Sequence, residues 1–433
     1  MNNKIIASQA LRQQYTKVEH PSGLTILLCP MEGFSTAYAL FAAKIGSIDT
    51  TFKTQKEDDF VTVPAGIAHF LEHKMFESED GDAFAKYAKT GASANAYTSF
   101  DRTAYLFSCT DNFRQSMQVL MELVTHPYFT QQTVEKEQGI IGQEIRMYDD
   151  SPDWRAMFNL LEALYQENPV RLDIAGTTES IAQIDADLLY RCYHTFYNLN
   201  NMVLAVAGNF DPKDVLELAD EILKPGEDIT IQWRKPEEPR EVCTHLAEQS
   251  LPVSVPMFQI GFKGNAGNSL ENLKKQVLCE ILLEIICGES SPLYRELYDS
   301  GLINSTFSYE VLGGRDYLVS MYGGESRDPG QVYEKICLEV NHLRDEGIDP
   351  EAFERCRKAA YGRYIGMYCK SESVAGLMVL THFSGMENMY DLLQLVQDLT
   401  LEDLNYCLLD DFSPEYSAVS IIHPVEQKDE AEG

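Results

Sequence analysis

Eight residues, His69-Phe70-Leu71-Glu72-His73-Lys74-Met75-Phe76, hold the densest chemistry in the chain. The pattern is His-x-x-Glu-His in a segment of helical character. In a helix each residue turns about 100° and rises about 1.5 Å, so His69 and His73 stand one turn apart on one face and Glu72 lies close to both. Two imidazoles and a carboxylate that converge in this way suit zinc, with one acid or base beside it. At the chain's own residue frequencies, His-x-x-[Asp/Glu]-His is expected by chance about 0.03 times in 433 residues. The bland alternative is a pair of histidines on a solvated helix face.

A zinc site with two histidines needs a third protein ligand, and a carboxylate oxygen is a common choice. A helix is predicted over Gln131 to Met147, where Glu137 and Glu144 are two turns apart and share nearly one face. Glu144 is a candidate ligand, and so are Glu135 and Glu137; spacing does not choose among them.

The elements that must hold these groups follow from pattern. Gly23 to Met31 and Ser35 to Ile45 read as two strands joined by a short turn. The motif helix is predicted from Ile67 to Glu77, and Asp82 can cap a second helix that ends at Gly91. Gly91 to Phe107 is rich in small, β-branched and aromatic residues and reads as two strands with a turn near Asp101. Small residues on a strand let another backbone approach, either an added peptide strand or plain packing. Asn112 to Val124 is an amphipathic helix. A loop before Thr178 leads to a short helix with that residue as cap, and Asn201 to Gly208 is an apolar, central strand.

Lys224 to Arg240 holds three prolines, a glycine and many charges, the composition of a linker. Beyond it the order of elements repeats. The expectation is an α+β protein of two duplicated domains, 1–228 and 242–433, joined by a linker at 229–241, each a mostly antiparallel sheet covered by helices. The counterpart of the motif helix, Leu270 to Gly288, contains no histidine, so only the first domain can build the metal site.

Composition bounds the function. A formal net charge of −32 argues against nucleic acid as a partner, because phosphate requires a basic surface. The acidity reads as solubility, or as a preference for basic peptides. Ten scattered cysteines form no Cys-x-x-Cys pair, which argues against a disulfide framework and a thiolate zinc site. No apolar leader and no run of eighteen apolar residues is visible, so a cytoplasmic protein without a membrane span is expected. No Gly-x-Gly-x-x-Gly or Walker pattern supports a redox or nucleotide enzyme.

The motif helix, the segment Gly91-Ala-Ser-Ala-Asn95-Ala96-Tyr97-Thr98 and the pair Glu137-x6-Glu144 together resemble the insulinase/pitrilysin family of zinc peptidases, in the short bacterial processing-peptidase type. The resemblance covers nearly the whole chain. It implies Zn2+ as cofactor, with His69, His73 and Glu144 as ligands and Glu72 as the general base. It implies that Glu137 orients a ligand histidine, that Asn95 and Ala96 lie on an edge strand that pairs with substrate, and that Phe76 lines the first specificity pocket; core packing is an equal reading for Phe76. It further implies that the two domains form half of a clam-like chamber.

One departure stands out. The family resemblance calls for an Arg and a Tyr in a run like Leu-Arg-x-x-x-Gly-Leu-x-Tyr, which polarise the scissile carbonyl. Here Leu297-Tyr298-Asp299-Ser300-Gly301-Leu302-Ile303-Asn304 is one residue shorter and places Tyr298 and Asn304 there, with Arg295 nearby. The expectation is therefore a zinc-dependent endopeptidase for short or unfolded peptides that needs a paralogous subunit, as a heterodimer, to supply the missing pair. The alternative is a catalytically silent homologue acting as a structural or binding subunit.

Overall fold

A computed structural model of the chain describes residues 2–79 and 81–425. The chain packs into two compact units. One holds the described residues of Met1–Ile145, Asp173–Lys235 and Gly362–Gln394; the other holds those of Arg146–Leu172, Pro236–Tyr361 and Leu395–Gly433. Both are sheets covered by helices, so the α+β reading with two similar domains matches the architecture.

The first unit is built on a seven-stranded sheet in the order Asn2–Ser8, Gln13–Glu19, Thr25–Pro30, Met202–Gly208, Ala37–Ala43, Thr103–Cys109, Ser93–Thr98. Met202–Gly208 is buried along its whole length, as a strand covered on both faces must be, and this is why it reads as an unbroken apolar run. It runs parallel to Thr25–Pro30 and antiparallel to Ala37–Ala43. The two N-terminal strands read as joined by a short turn are therefore not neighbours in the sheet, because the chain returns to insert its most apolar strand between them. The edge strand Asn2–Ser8 and its neighbour Gln13–Glu19, which pairs with it and with Thr25–Pro30, carry little apolar alternation and were not legible in the sequence.

The second unit has a five-stranded sheet in the order Leu246–Leu251, Ser417–Pro424, Met257–Lys263, Tyr317–Glu325, Ser308–Gly314. Numbered along the chain, its strands follow the same sequence of neighbours as the last five strands of the first sheet. In both, the final strand inserts beside the first and parallel to it. Sequence identity between the halves is faint, but this shared order is a strong mark of duplication.

The compact units do not coincide with 1–228 and 242–433. Helices α1 (Ile67–Met75), α2 (Ala83–Thr90), α3 (Phe113–Thr125) and α4 (Gln131–Asp149) precede α5 (Pro152–Leu164) in the first half of the sequence, yet α5 packs on strands Ser417–Pro424 and Met257–Lys263. Its buried side chains are Ala156, Phe158, Leu160, Leu161, Ala163 and Leu164. Gly261 is what admits them: a Cβ there would sit 2.9 Å from methyl carbons of Leu160 and Leu164. Reciprocally, the Ser371–Ser384 helix packs on Met202–Gly208 and Ala37–Ala43. Each is the third helix after the hairpin of its own half, so the exchange is symmetric.

The linker composition also conceals packing. Ile231–Trp233 pairs with Thr51–Thr54, and Trp233 stacks on Phe196 at 5.4 Å. Further along, the Glu238 carboxylate accepts the backbone N–H groups of Gln166, Glu167 and Asn168 and the Lys263 ammonium. Other helix boundaries follow the local signals, with Asp82 capping α2 through the Phe84 N–H.

Since α5 contributes six buried apolar side chains to a sheet encoded elsewhere, and the larger of them (Phe158, Leu160, Leu161 and Leu164) are each worth about 1.5 kcal/mol or more, neither half should fold alone. Residues 1–228 and 242–433 expressed separately are expected to lack a cooperative thermal transition, and co-expressed to form a soluble one-to-one complex. Two-state melting of either half alone would contradict this.

Candidate metal centre

α1 begins at Gly66, whose φ of 87° no side chain adopts easily; a Cβ there would also lie 2.4 Å from the Ala175 carbonyl oxygen. The entry is clamped from the same loop. Thr177, one residue earlier than the sequence suggested, caps the short Thr178–Ile181 helix in a reciprocal pair with Ser180. The Ser180 hydroxyl donates to the Ala65 carbonyl at 2.8 Å. α1 is buried almost all round, and its polar members His69, Glu72 and Lys74 are buried with the rest.

α4 has a buried stripe of Val134, Glu137, Ile141 and Ile145, so Glu137 occupies a position where periodicity calls for an apolar residue. One turn past Ile141, Glu144 is half-buried and reaches the same point as the histidines. The Nε2 of His69 lies 3.7 Å from Glu144 Oε1, and the Nε2 of His73 lies 3.4 Å from Glu144 Oε2. One ligand atom from each of His69, His73 and Glu144 lies within 4.8 Å of the other two. These contacts are too long for good hydrogen bonds. They match ligand spacing instead: atoms about 2.0–2.1 Å from a tetrahedral ion stand about 3.3 Å apart. The donor set and spacing fit zinc.

The two imidazoles are held differently. His73 directs Nδ1 to Glu137 Oε1 at 3.0 Å, which places the proton on Nδ1 and leaves the Nε2 lone pair facing Glu144. The buried Nδ1 of His69 has no hydrogen-bond partner among the described residues. Burial, with repulsion from His73, pushes the His69 pKa down to about 4. Burial also works to lower His73, but the Glu137 hydrogen bond and the charges of Glu144 and Glu72 outweigh it and raise that group. For Glu137 burial acts upward, yet the bond and charge of His73, aided by Lys74 and Lys136, bring its carboxyl below the usual range.

Glu72 is buried beside the cluster, and its Oε2 accepts the Thr98 hydroxyl at 2.7 Å. Burial raises its carboxyl, and the Thr98 bond and His73 charge pull against that rise. The raised direction is the one that suits a general base working near neutral pH. Thr98 ends the edge strand Ser93–Thr98, which pairs on one side only, with Thr103–Cys109. On that strand Asn95 is exposed, and its Oδ1 accepts the Ala96 N–H at 2.9 Å.

Phe76 stacks face to face on Phe84 at 4.4 Å and also lines a cavity of about 500 Å³ with Met75, Ala83, Leu123 and Tyr128. In the second unit, Tyr298 is half exposed and stacked on Tyr294. The Asn304 amide donates to Glu325 and its Oδ1 receives Thr306, while Arg295 pairs with Asp299.

Sequence reasoning gave no role to Thr98 or Lys74. Lys74 is fully buried and paired with Glu77. It also missed that folding brings Cys279 and Cys407 to 3.8 Å beside Asp411. That group suits a cation poorly: Asp411 already holds the Lys275 ammonium at 3.0 Å, and the contact with Cys279, together with burial, keeps the Cys407 thiol far above its ordinary pKa.

Comparison with known proteins gives a consistent result. Residues 63–178 match the family described as Insulinase (Peptidase family M16), and residues 183–360 match the one described as Peptidase M16 inactive domain. The chain is 39% identical over 426 residues to a Bacillus subtilis (strain 168) protein named "Uncharacterized zinc protease YmfH", covering 97% of this chain and 99% of the relative. The crystal structure of an M16-like peptidase from Alicyclobacillus acidocaldarius superposes with a TM-score of 0.93 at 35% identity, over 97% of this chain and all of that one. The probable beta subunit of the mitochondrial processing peptidase of Arabidopsis thaliana is 24% identical over 227 residues, 50% of this chain and 42% of that one.

The asymmetry of the histidines has a measurable consequence. A metal must displace the His73 proton, so zinc affinity is full above the raised His73 pKa and falls about tenfold per pH unit below it. His69, already neutral, adds nothing until near pH 4. Glu137→Gln is expected to weaken zinc binding about 10- to 100-fold and to move the onset of the acid loss to lower pH. Competition against a chelator across pH 5–8 reads both; an unchanged onset in the variant would refute the role of Glu137.

Proposed function

The chain belongs to the insulinase (M16) peptidase family, and on that footing we propose that it is a zinc-dependent endopeptidase that cuts short or unfolded peptides together with a paralogous partner subunit. The observation that carries the reading is the convergence of His69, His73 and Glu144 at ligand spacing with the buried Glu72 carboxylate beside them.

Zinc held by those three residues would polarise the scissile carbonyl and make water acidic enough to attack near neutral pH. The remaining work belongs to the chain. Glu72 takes a proton from the attacking water and, because it is buried, returns it to the leaving amine without loss to bulk solvent. Glu137 keeps the His73 proton on Nδ1, so Nε2 stays available. The Ser93–Thr98 edge offers unpaired backbone groups to an extended peptide. Asn95 holds the Ala96 N–H in the free protein and would yield it to substrate. Phe76 and its cavity would receive a side chain next to the cut bond.

The need for a partner rests on the second unit. A developing oxyanion wants a positioned donor, but the run that the resemblance matches offers Tyr298 and Asn304 in place of Arg and Tyr, and the Asn304 amide is bound to Glu325. The Arabidopsis relative is likewise named as one subunit of a processing peptidase. We assign the protein to the cytoplasm: its ten cysteines are free, which suits a reducing compartment. Among the described residues no helix is long and apolar enough to cross a membrane.

Glu72→Gln is expected to bind about one zinc per chain like the wild type while losing at least about 100-fold in peptide cleavage; His73→Ala is expected to lose the metal. The isolated chain should turn over slowly and gain rate when its partner is added. Equal cleavage by wild type and Glu72→Gln would favour a structural or binding subunit instead.

A further inference from the structure

The edge strand Ser93–Thr98 and the motif helix α1 are tied at Thr98, which holds the Glu72 carboxylate through both its hydroxyl and its backbone N–H. Side chains alternate along a strand, so Ala94, Ala96 and Thr98 share one face, and all three are half-buried. Asn95 and Tyr97 share the other face and are exposed. α1 packs against this strand. On the buried face, two methyl groups are followed by one hydroxyl, and that hydroxyl meets Glu72 Oε2 at 2.7 Å. The alanines allow the close approach; the threonine uses it. A shift of one residue in register would bring Tyr97 to this face and remove the contact. The register is fixed from the other side, where Thr98 stands opposite Thr103, whose hydroxyl is bound to the Ile45 carbonyl at 2.9 Å.

We propose that Thr98 is a positioning residue: its hydroxyl holds the Glu72 carboxylate in its working rotamer and so couples the seating of a peptide on the Ser93–Thr98 edge to proton transfer at the cut bond. Glu72 has three side-chain torsions, and without a partner its carboxylate would sample several of them. With Oε2 engaged by Thr98, Oε1 remains to face the reacting water. A peptide that adds to this edge aligns the backbone that carries Thr98, and a displaced edge misplaces the base. Peptides that pair with the strand in register would then be cut faster, and not merely bound more tightly. The kinetic consequence rests on the peptidase reading; the positioning does not.

The test uses the zinc-loaded full chain with its partner, an unfolded peptide as substrate, and three proteins: wild type, Thr98→Val and Thr98→Ser. Thr98→Val keeps the shape and removes the hydroxyl, and is expected to lower kcat by about tenfold or more with KM and zinc content nearly unchanged. Thr98→Ser restores most of the rate. Wild-type kcat in Thr98→Val, or a loss that Thr98→Ser does not rescue, overturns the proposal. Crystal structures of the same three proteins without metal give a readout independent of activity: Glu72 should keep one rotamer, bonded to the residue-98 hydroxyl, in wild type and Thr98→Ser and turn from that rotamer in Thr98→Val, where the backbone N–H alone remains. If wild type and Glu72→Gln cleave equally, the peptidase reading fails while the crystal comparison still decides whether Thr98 positions Glu72.

Discussion

Two imidazole nitrogens and a carboxylate face one another at 3.4 and 3.7 Å inside a largely buried site. Lone pairs at that spacing repel unless a cation or shared protons lie among them, so the arrangement persists only if the rest of the unit imposes it. The devices that impose it are identifiable. Gly66 sets the start of α1 with a backbone angle closed to other residues, and Ser180 ties down the carbonyl before it. Glu137 occupies the apolar stripe of α4 and fixes His73. His69 has no such support on Nδ1 and is kept neutral by burial. The two histidines are thus alike in sequence and unlike in setting: His69 would be open to a metal at any ordinary pH, and His73 would give up a proton that the carboxylates hold in competition with the metal.

The local part of this site was legible in the sequence because helix geometry alone places His69, Glu72 and His73 together. The carboxylate that joins them was not, since Glu135, Glu137 and Glu144 are all compatible with helical spacing and only the fold brings Glu144 to both histidines. Glu137 had a readable signal in hindsight: it replaces an apolar residue in the stripe of Val134, Ile141 and Ile145. Thr98 lay inside the segment singled out for its small residues, but only the register of Ser93–Thr98 reveals that its hydroxyl meets Glu72.

The same limit applies to the fold. Apolar pattern says that a segment is buried, not against what. Met202–Gly208 reads as a central strand, and nothing in its residues says that it separates Thr25–Pro30 from Ala37–Ala43. α5 and the Ser371–Ser384 helix read as buried helices, and nothing local says that each serves the other half's sheet. The linker composition of 229–241 was misleading for a related reason. Its charged and proline-rich residues include Trp233, which stacks on Phe196, and Glu238, which three backbone N–H groups and Lys263 hold.

The duplication explains why only the first copy carries the histidine cluster without the second copy being damaged. Both sheets keep the five-strand order, and both halves send their third helix across, because those contacts carry the hydrophobic cores and tolerate little change. The ligand positions carry no such load. In the second copy the helix at the place of α1, Ser269–Cys287, contains no histidine, and its buried residues are apolar apart from Asn272. Converting a metal face to an apolar one removes buried polar groups that need partners, so it is favourable wherever the metal is not required. That the first copy still buries His69, Glu72, Glu137 and Lys74 together, at the cost such burial entails, argues that this site is kept for chemistry and not for stability.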